Sequence, residues 1–395
     1  MPSMLRFILA TVACLLALPT HATEPVLIGL DAEFGHKTST SAQAVQRGIE
    51  IAIDEINRAG GVLGGRKLEL VTRDNRSVTA IGVDNFRELA ALPNLVAIFG
   101  GKFSPVYIEC VPVAHELGVP LLDPWGSADG ITDHGFRPSY TFRLSLKDAW
   151  AGPAFVDFAK RRHKADRVAV LLPNTAWGRS NAAAIRKAAI EAGVTLVAER
   201  WYNWGDRSLA TQYNEARVAG AKAIILVANE AEGAIFVKEV AALPKAQRLP
   251  IVSHWGVTGG DFARLAGDAL QEVDFSVIQT FSFVDNRSPA ALRVLGALRA
   301  RHGLQSEDEV ASPVGVAHAY DLTHLLAKAI EAARSTDRRA VRDALERLGP
   351  HEGLVQRYQR PFTAERHDAL SPRSIFFARY TADDRLLPID RGAAR

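Results

Sequence analysis

From Pro25 onward, short apolar runs alternate with longer stretches in which apolar residues recur every three or four positions. Val26-Leu27-Ile28-Gly29-Leu30 reads as a buried strand. Over 44–59, Val45, Ile49, Ala52, Ile53 and Ile56 fall on one helical stripe, which Gly60-Gly61 stops. Leu68, Leu70 and Thr72 alternate with charged neighbours as in a strand; a helix follows over 80–92, and 95–99 is again a buried run. A helix over 105–117 and a strand over 119–122 continue the series. A second series begins near Trp150, with strands predicted over 167–172, 195–199, 223–227, 250–253 and 274–279. The helices between them are predicted over 152–162, 180–192, 208–219, 231–243 and 260–270. Strands alternating with helices of this length predict parallel sheets covered on both faces, and two series predict an α/β protein of two doubly wound lobes. The tail differs: it is mostly helical over 289–348, including 314–333 and 338–348, then extended, with a final strand over 374–380.

The first residues follow another pattern. Arg6 precedes an apolar run from Phe7 to Leu18, then Pro19 and the small-residue end Thr20-His21-Ala22. That order predicts a secretory signal peptide over 1–22 and a soluble mature chain; the run is shorter than the ~20 residues of a membrane span. Cys14 lies inside it. Lipoprotein processing there is disfavoured, because Thr11-Val12-Ala13 is a poor lead-in and the apolar run continues past the cysteine. A mature chain then keeps only Cys110, which forms no internal disulfide and sits among apolar residues as a small hydrophobe.

Length and charge narrow the function. The 395 residues exceed what one core usually organises, and 47 basic against 44 acidic residues give a net charge of +3. No clustered field of the kind nucleic acids require is present. The one basic run, Lys160-Arg161-Arg162-His163-Lys164, falls at a predicted helix end, where cations offset unpaired carbonyls.

Catalytic and metal motifs find no support. Gly60 to Lys67 resembles a phosphate loop in spacing, but Arg66 and Lys67 hold the Lys and Ser/Thr places, and the segment follows a helix instead of opening one. His115-Glu116 lacks the second histidine of a zinc-protease helix, and His318 and His324 lie on different faces of one helix. Gly126-Ser127-Ala128-Asp129-Gly130 places its serine one position too early for a nucleophile elbow. Neither an enzyme nor a cofactor or metal is expected.

Polar and aromatic residues gather instead in the loops after the strands, where doubly wound sheets bind ligands. These are Gly100-Gly101-Lys102-Phe103-Ser104, Pro124-Trp125-Gly126-Ser127, Pro173 to Gly178 around Trp177, Asn229-Glu230, and His254-Trp255-Gly256. Three of the six tryptophans fall there. Candidate ligand-binding residues are therefore Lys102, Phe103, Ser104, Trp125, Gly126, Ser127, Trp177, Glu230 and Trp255.

At these loops the chain resembles the type I periplasmic solute-binding family, the branched-chain amino-acid and amide-binding group. The resemblance rests on Ile53-Asp54-Glu55-Ile56-Asn57-Arg58-Ala59-Gly60-Gly61, Gly65 to Leu70, Arg73-Asp74-Asn75, Val96 to Gly100 and Ser104. Gly118-Val119-Pro120, Phe142-Arg143, Asp148, Trp177-Gly178 and Ala319-Tyr320-Asp321 extend it. It implies two lobes joined by a three-segment hinge, 24–146 plus 280–348 and 147–279 plus 349–395, closing on a ligand for delivery to an ABC permease. It also implies a periplasmic protein, here expected to be monomeric. By this resemblance Ser104 and Gly126-Ser127 hold a ligand carboxylate through hydroxyl and backbone amide, Trp177 supplies an aromatic wall, and Glu230 lies near a further contact position. Trp255 stands where amino-acid binders place an acidic residue for the ligand ammonium. That departure makes an aromatic or flat organic acid the expected ligand, with Lys102 either adding charge or lying on the solvent side of its loop. An amino acid or quaternary amine using Glu230 is the alternative. A sensory input to a membrane receptor or accessory dehydrogenase, and a secreted hydrolase, are the other readings.

Overall fold

A computed structural model describes residues 24–389; the predicted signal peptide and Cys14 lie outside them. The first lobe runs β1 (Val26–Ala32), α1 (Ser41–Arg58), β2 (Leu68–Asp74), α2 (Thr79–Ala90), β3 (Leu95–Phe99), α3 (Ser104–Leu117), β4 (Leu121–Asp123) and β5 (Thr141–Arg143). The second runs α4 (Asp148–His163), β6 (Arg167–Pro173), α5 (Ala176–Ala192), β7 (Thr195–Tyr202), α6 (Ala210–Val218), β8 (Ala223–Leu226), α7 (Glu230–Ala241), β9 (Ile251–Ser253), α8 (Phe262–Ala266) and β10 (Phe275–Gln279). There follow α9 (Pro289–His302), α10 (Pro313–Ala333), α11 (Arg338–Leu345), β11 (His351–Glu352), β12 (Arg357–Tyr358), β13 (Phe376–Tyr380) and β14 (Leu386–Pro388).

Two large sheets carry this order, β2-β1-β3-β4-β5 and β14-β13-β10-β9-β8-β6-β7, and β11 and β12 form a separate antiparallel pair. The first sheet is parallel throughout, as is the second from β7 to β10; β13 then pairs antiparallel with β10, and β14 antiparallel with β13. Their buried strands, such as β3 and β8, are continuous apolar runs because helices cover both faces. The two doubly wound lobes expected from the alternation are thus present.

The late helices return to the first lobe. α10 packs along α1, and Gly48 permits it: a Cβ there would overlap the Val316 carbonyl oxygen. Residues 351–370 also lie on the first lobe. Asp321 of α10 accepts N–H bonds from Leu354 (2.6 Å) and Val355 (2.9 Å) and the hydroxyl of Tyr358 (2.7 Å), and Phe362 and His367 pack on Phe142. The chain therefore crosses between sheets after β5, after β10, and between Ala369 and Phe376, the last lying further along than residue 349. Two crossings are tied together: Asp368 bonds Arg143 Nε at 2.7 Å and Lys147 Nζ at 3.0 Å. Burial raises its carboxyl, but the two cations outweigh it and hold it down to about 2.

Two local expectations change and one holds. The helix predicted over 260–270 is a five-residue helix, α8, between two 3-10 segments, because Gly267 takes a left-handed φ of 58°. β5 and β14, three residues each, were not anticipated. Gly60 to Lys67 is a helix stop and turn as read, with Gly61, Gly64 and Gly65 at positive φ. Among the described residues, no helix is long and apolar enough to cross a membrane, and no cluster of three His, Cys, Asp or Glu could hold a metal.

Candidate ligand-binding crevice

The strand ends of the two sheets meet at a narrow, nearly closed crevice. Its walls are Lys102, Phe103, Ser104 and Pro105 between β3 and α3, Trp125 and Ser127 after β4, Trp177 in α5, Trp204 after β7, Asn229 after β8, and Trp255 and Gly256 after β9. Ser104 and Trp177, from different lobes, thus face one space. Larger grooves exist, but the one along α4 and β13 (about 700 Å³) draws its walls from the second lobe alone, so it cannot sense closure.

On the first lobe, Asp123 at the end of β4 shapes the loop beyond it. Its Oδ1 accepts the N–H of Trp125 (3.0 Å) and of Gly126 (2.6 Å), while burial pushes its carboxyl up to about 7 against the pull of Arg143. Gly126 is consequently committed to Asp123 and lies outside the walls; a Cβ on it would meet Ile131 at 2.7 Å. Ser104, the first residue of α3, accepts N–H bonds from Ser127 (3.1 Å) and Ala128 (3.3 Å) through Oγ. Those amides are occupied, so what Ser104 offers a ligand is its own hydroxyl proton.

On the second lobe, the Trp177 indole N–H donates to Ser127 Oγ across the crevice at 3.0 Å. His254, fully buried, lies 3.2 Å from Asp148 Oδ1 and 3.4 Å from Ser127 Oγ through the same ring nitrogen, Nε2. Trp177 meets that ring edge-on at 4.9 Å. One shared nitrogen precludes a serine–histidine–carboxylate relay, which needs both. Trp255 packs on Trp125 with centroids 5.7 Å apart, and Phe103 meets Trp204 edge-on at 5.2 Å.

Lys102 is not on the solvent side of its loop. Its Nζ is 2.7 Å from Glu230 Oε2, with side chains 2% and 0% exposed. Glu230 opens α7 behind Lys102 and is not itself a wall residue. Burial alone would raise its carboxyl, but Lys102 more than compensates and holds it below the ordinary range. Its other oxygen accepts Thr38 Oγ1 at 3.0 Å. Nearby, the main chains of the lobes touch: Thr40 N–H donates to Gly259 O (2.8 Å) and Asp261 N–H to Thr38 O (3.0 Å), forming one antiparallel bridge at Ser39 and Gly260.

Of the nine expected residues, seven line the crevice, Glu230 stands directly behind it, and Gly126 faces away. Trp204 was missed: β7 was expected to end at Glu199 but continues to Tyr202, which brings Trp204 to a strand end. Asn229 and Gly256 belong to loops already singled out by their composition.

Residues 25–384 match the sequence profile of the periplasmic binding protein family. The chain belongs to that family. Among relatives, the "Leu/Ile/Val-binding protein homolog 1" of Brucella abortus (strain 2308) is 24% identical over 343 residues, 87% of this chain and 88% of the relative. A type 1 periplasmic binding protein from Bordetella pertussis Tohama I superposes with a TM-score of 0.82 at 20% identity, over 92% of this chain and 99% of that one. A solute-binding protein of an ABC transporter from Rhodopseudomonas palustris BisB5, solved with 3,4-dihydroxybenzoic acid, gives a TM-score of 0.76 at 18% identity, covering 93% and 96%. At such identities the structures speak for the fold alone. As a periplasmic binding protein, the chain is a solute-binding component of ABC transport and not an enzyme.

Proposed function

We propose that this protein captures a compact organic acid, aromatic or otherwise flat, outside the cytoplasmic membrane and delivers it to an ABC permease. One observation carries the reading: the crevice walls hold a lysine, two serine hydroxyls, an amide and four indoles, but no carboxylate. The ligand carboxylate takes the hydroxyls of Ser104 and Ser127 and a free donor of Lys102, while the ring lies among Trp125, Trp177 and Trp255. Gly126 contributes by placing the loop and not by its amide. Capture proceeds by hinge closure, the ligand favouring the closed form because it touches both lobes at once.

The names of relatives point partly elsewhere, toward branched-chain amino acids. A zwitterion, however, brings an ammonium into walls without an anion, and an unpaired buried charge costs several kcal/mol. The aromatic acid held by the Rhodopseudomonas protein accords with the favoured ligand. The signal-peptide pattern of residues 1–22 and the family both support a periplasmic site of action. A thermal-shift screen tests the proposal: aromatic acids raise the melting temperature and branched-chain amino acids do not. The opposite ranking replaces the ligand class.

A further inference from the structure

Lys102 and Glu230 come from different lobes, 128 positions apart in sequence, and meet at one end of the crevice. Both side chains are buried, and Lys102 stands between Glu230 and the open space. It reaches that place past Gly259, where a Cβ would lie 2.9 Å from its Nζ. We infer that Lys102 decides which charge the crevice accepts, by covering a carboxylate that would otherwise serve an amine. The inference rests on the ligand crevice proposed above and goes beyond it by assigning the acid-versus-amine choice to one residue.

The surroundings sharpen the argument. Glu230 has three partners: Lys102 Nζ at 2.7 Å, Thr38 Oγ1 at 3.0 Å and His36 Nδ1 at 3.7 Å, the last on a side chain 36% exposed. Glu33, fully buried nearby, accepts Ser39 Oγ at 3.3 Å and the backbone N–H of Lys102 at 3.4 Å, along with the Ser41 hydroxyl. Among the described residues Lys102 thus joins two buried carboxylates, Glu230 through its ammonium and Glu33 through its backbone N–H. With it in place, an ammonium must compete with a lysine already seated at 2.7 Å, and displacing that lysine leaves a buried cation without a partner. Without it, Glu230 faces the crevice uncovered, and an amine is the partner it lacks. Losing Glu230 acts in the opposite sense, releasing all the donors of Lys102 toward an acid.

Three probes of matched shape test this by titration calorimetry: 3-phenylpropionate, L-phenylalanine and 2-phenylethylamine. The wild-type protein is expected to bind the acid at least tenfold more tightly than either amine-bearing probe. In Lys102→Met, affinity for 2-phenylethylamine rises at least tenfold over wild type, and L-phenylalanine gains relative to 3-phenylpropionate. A folded Lys102→Met protein with no gain for the amine overturns the inference. Should that variant fail to melt cooperatively, Glu230→Gln serves: it is expected to bind 3-phenylpropionate at least tenfold more tightly than wild type, and unchanged affinity there also overturns the inference. The two proposals fail separately. Wild type that binds no acid while Lys102→Met gains the amine removes the acid ligand but keeps the role of Lys102; wild type that binds the acid while the variant gains nothing does the reverse.

Discussion

Gly260→Ala tests whether the lobes must approach as closely as they do here. Gly260 has a φ of −170°, extended backbone that alanine adopts without strain. Its added Cβ would overlap the Thr38 carbonyl oxygen of the other lobe and lie 2.8 Å from Cγ and Cδ of Glu230. The Glu230 side chain can turn, but a main-chain carbonyl moves only with its lobe. Relief therefore comes from incomplete closure, which breaks the bonds from Thr40 N to Gly259 O (2.8 Å), Asp261 N to Thr38 O (3.0 Å) and Ser39 Oγ to Gly259 O (3.0 Å). At about 0.5–1.5 kcal/mol net for each, closure weakens by roughly 1.5–4.5 kcal/mol. That corresponds to about a tenfold to thousandfold loss of affinity when only the closed form holds ligand. Calorimetry with an acid identified by the thermal-shift screen reads the loss, and small-angle scattering of the same complex reads a larger radius of gyration. Thermal melting of the empty protein changes little, because each lobe keeps its own core. An unchanged affinity, or a scattering curve identical to wild type, refutes the idea that this main-chain bridge is part of the capturing state.

Other expectations follow from single contacts. Trp177→Ala removes both an aromatic wall and the bond to Ser127; binding is expected to weaken at least tenfold, about 1.4 kcal/mol, and unchanged titrations would take Trp177 out of the site. Asp368→Ala takes the bonded carboxylate from the fully buried Arg143 and leaves the nearly buried Lys147 only Asp133 at 2.7 Å, so chemical denaturation should show a loss of roughly 3–5 kcal/mol; a loss below 1 kcal/mol would mean that water reaches these cations. Burial pushes Asp31 and Asp123 each up to about 7 from 3.8. Between those values the folded chain holds protons that the unfolded chain has released, so the contribution of these two groups to stability falls as pH rises through the window. His134, His318 and His351, which burial holds down to about 4, contribute in the opposite sense, so the test is a difference: Asp123→Asn should gain stability relative to wild type from pH 4 to pH 7, and parallel melting curves would contradict this.

The sequence made the lobes legible because their central strands are buried on both faces and their helices carry one apolar stripe, as in β3 and α1. Legibility fails where a pattern is too short or a partner is remote. β5 has only three residues, one of them the buried arginine that ties two crossings together. β7 is the sheet edge, so Glu199 and Arg200 pair outward with Arg186 and Glu215 and mask the strand that carries Trp204 to the crevice. The helix predicted over 260–270 is interrupted at Gly267. The loops of the crevice could be named from their composition alone. The direction of Lys102 could not, because it is fixed by a carboxylate from the opposite lobe.

The same geometry bears on how far one substitution can change the ligand. Three helices begin at the crevice: Ser104 opens α3, Trp177 lies in the first turn of α5, and Glu230 opens α7. The unpaired N–H groups of a helix start favour negative charge, by about 0.3–1 kcal/mol and up to ~2 kcal/mol where partly buried. At α7 that preference is already met by Glu230. α3 and α5 have no acidic residue in their first turns, but the Thr175 hydroxyl already accepts the Gly178 N–H at the start of α5, so it is the start of α3 that remains for a ligand to use. An acid placed at Ser104 and Ser127 thus meets that helix start in addition to Lys102, and it belongs to the backbone. Lys102→Met is accordingly expected to add amine binding at the Glu230 end while leaving measurable affinity for acids at the Ser104 end. If acid binding vanishes entirely in that variant with the fold intact, the helix start contributes nothing, and the lysine alone holds the carboxylate.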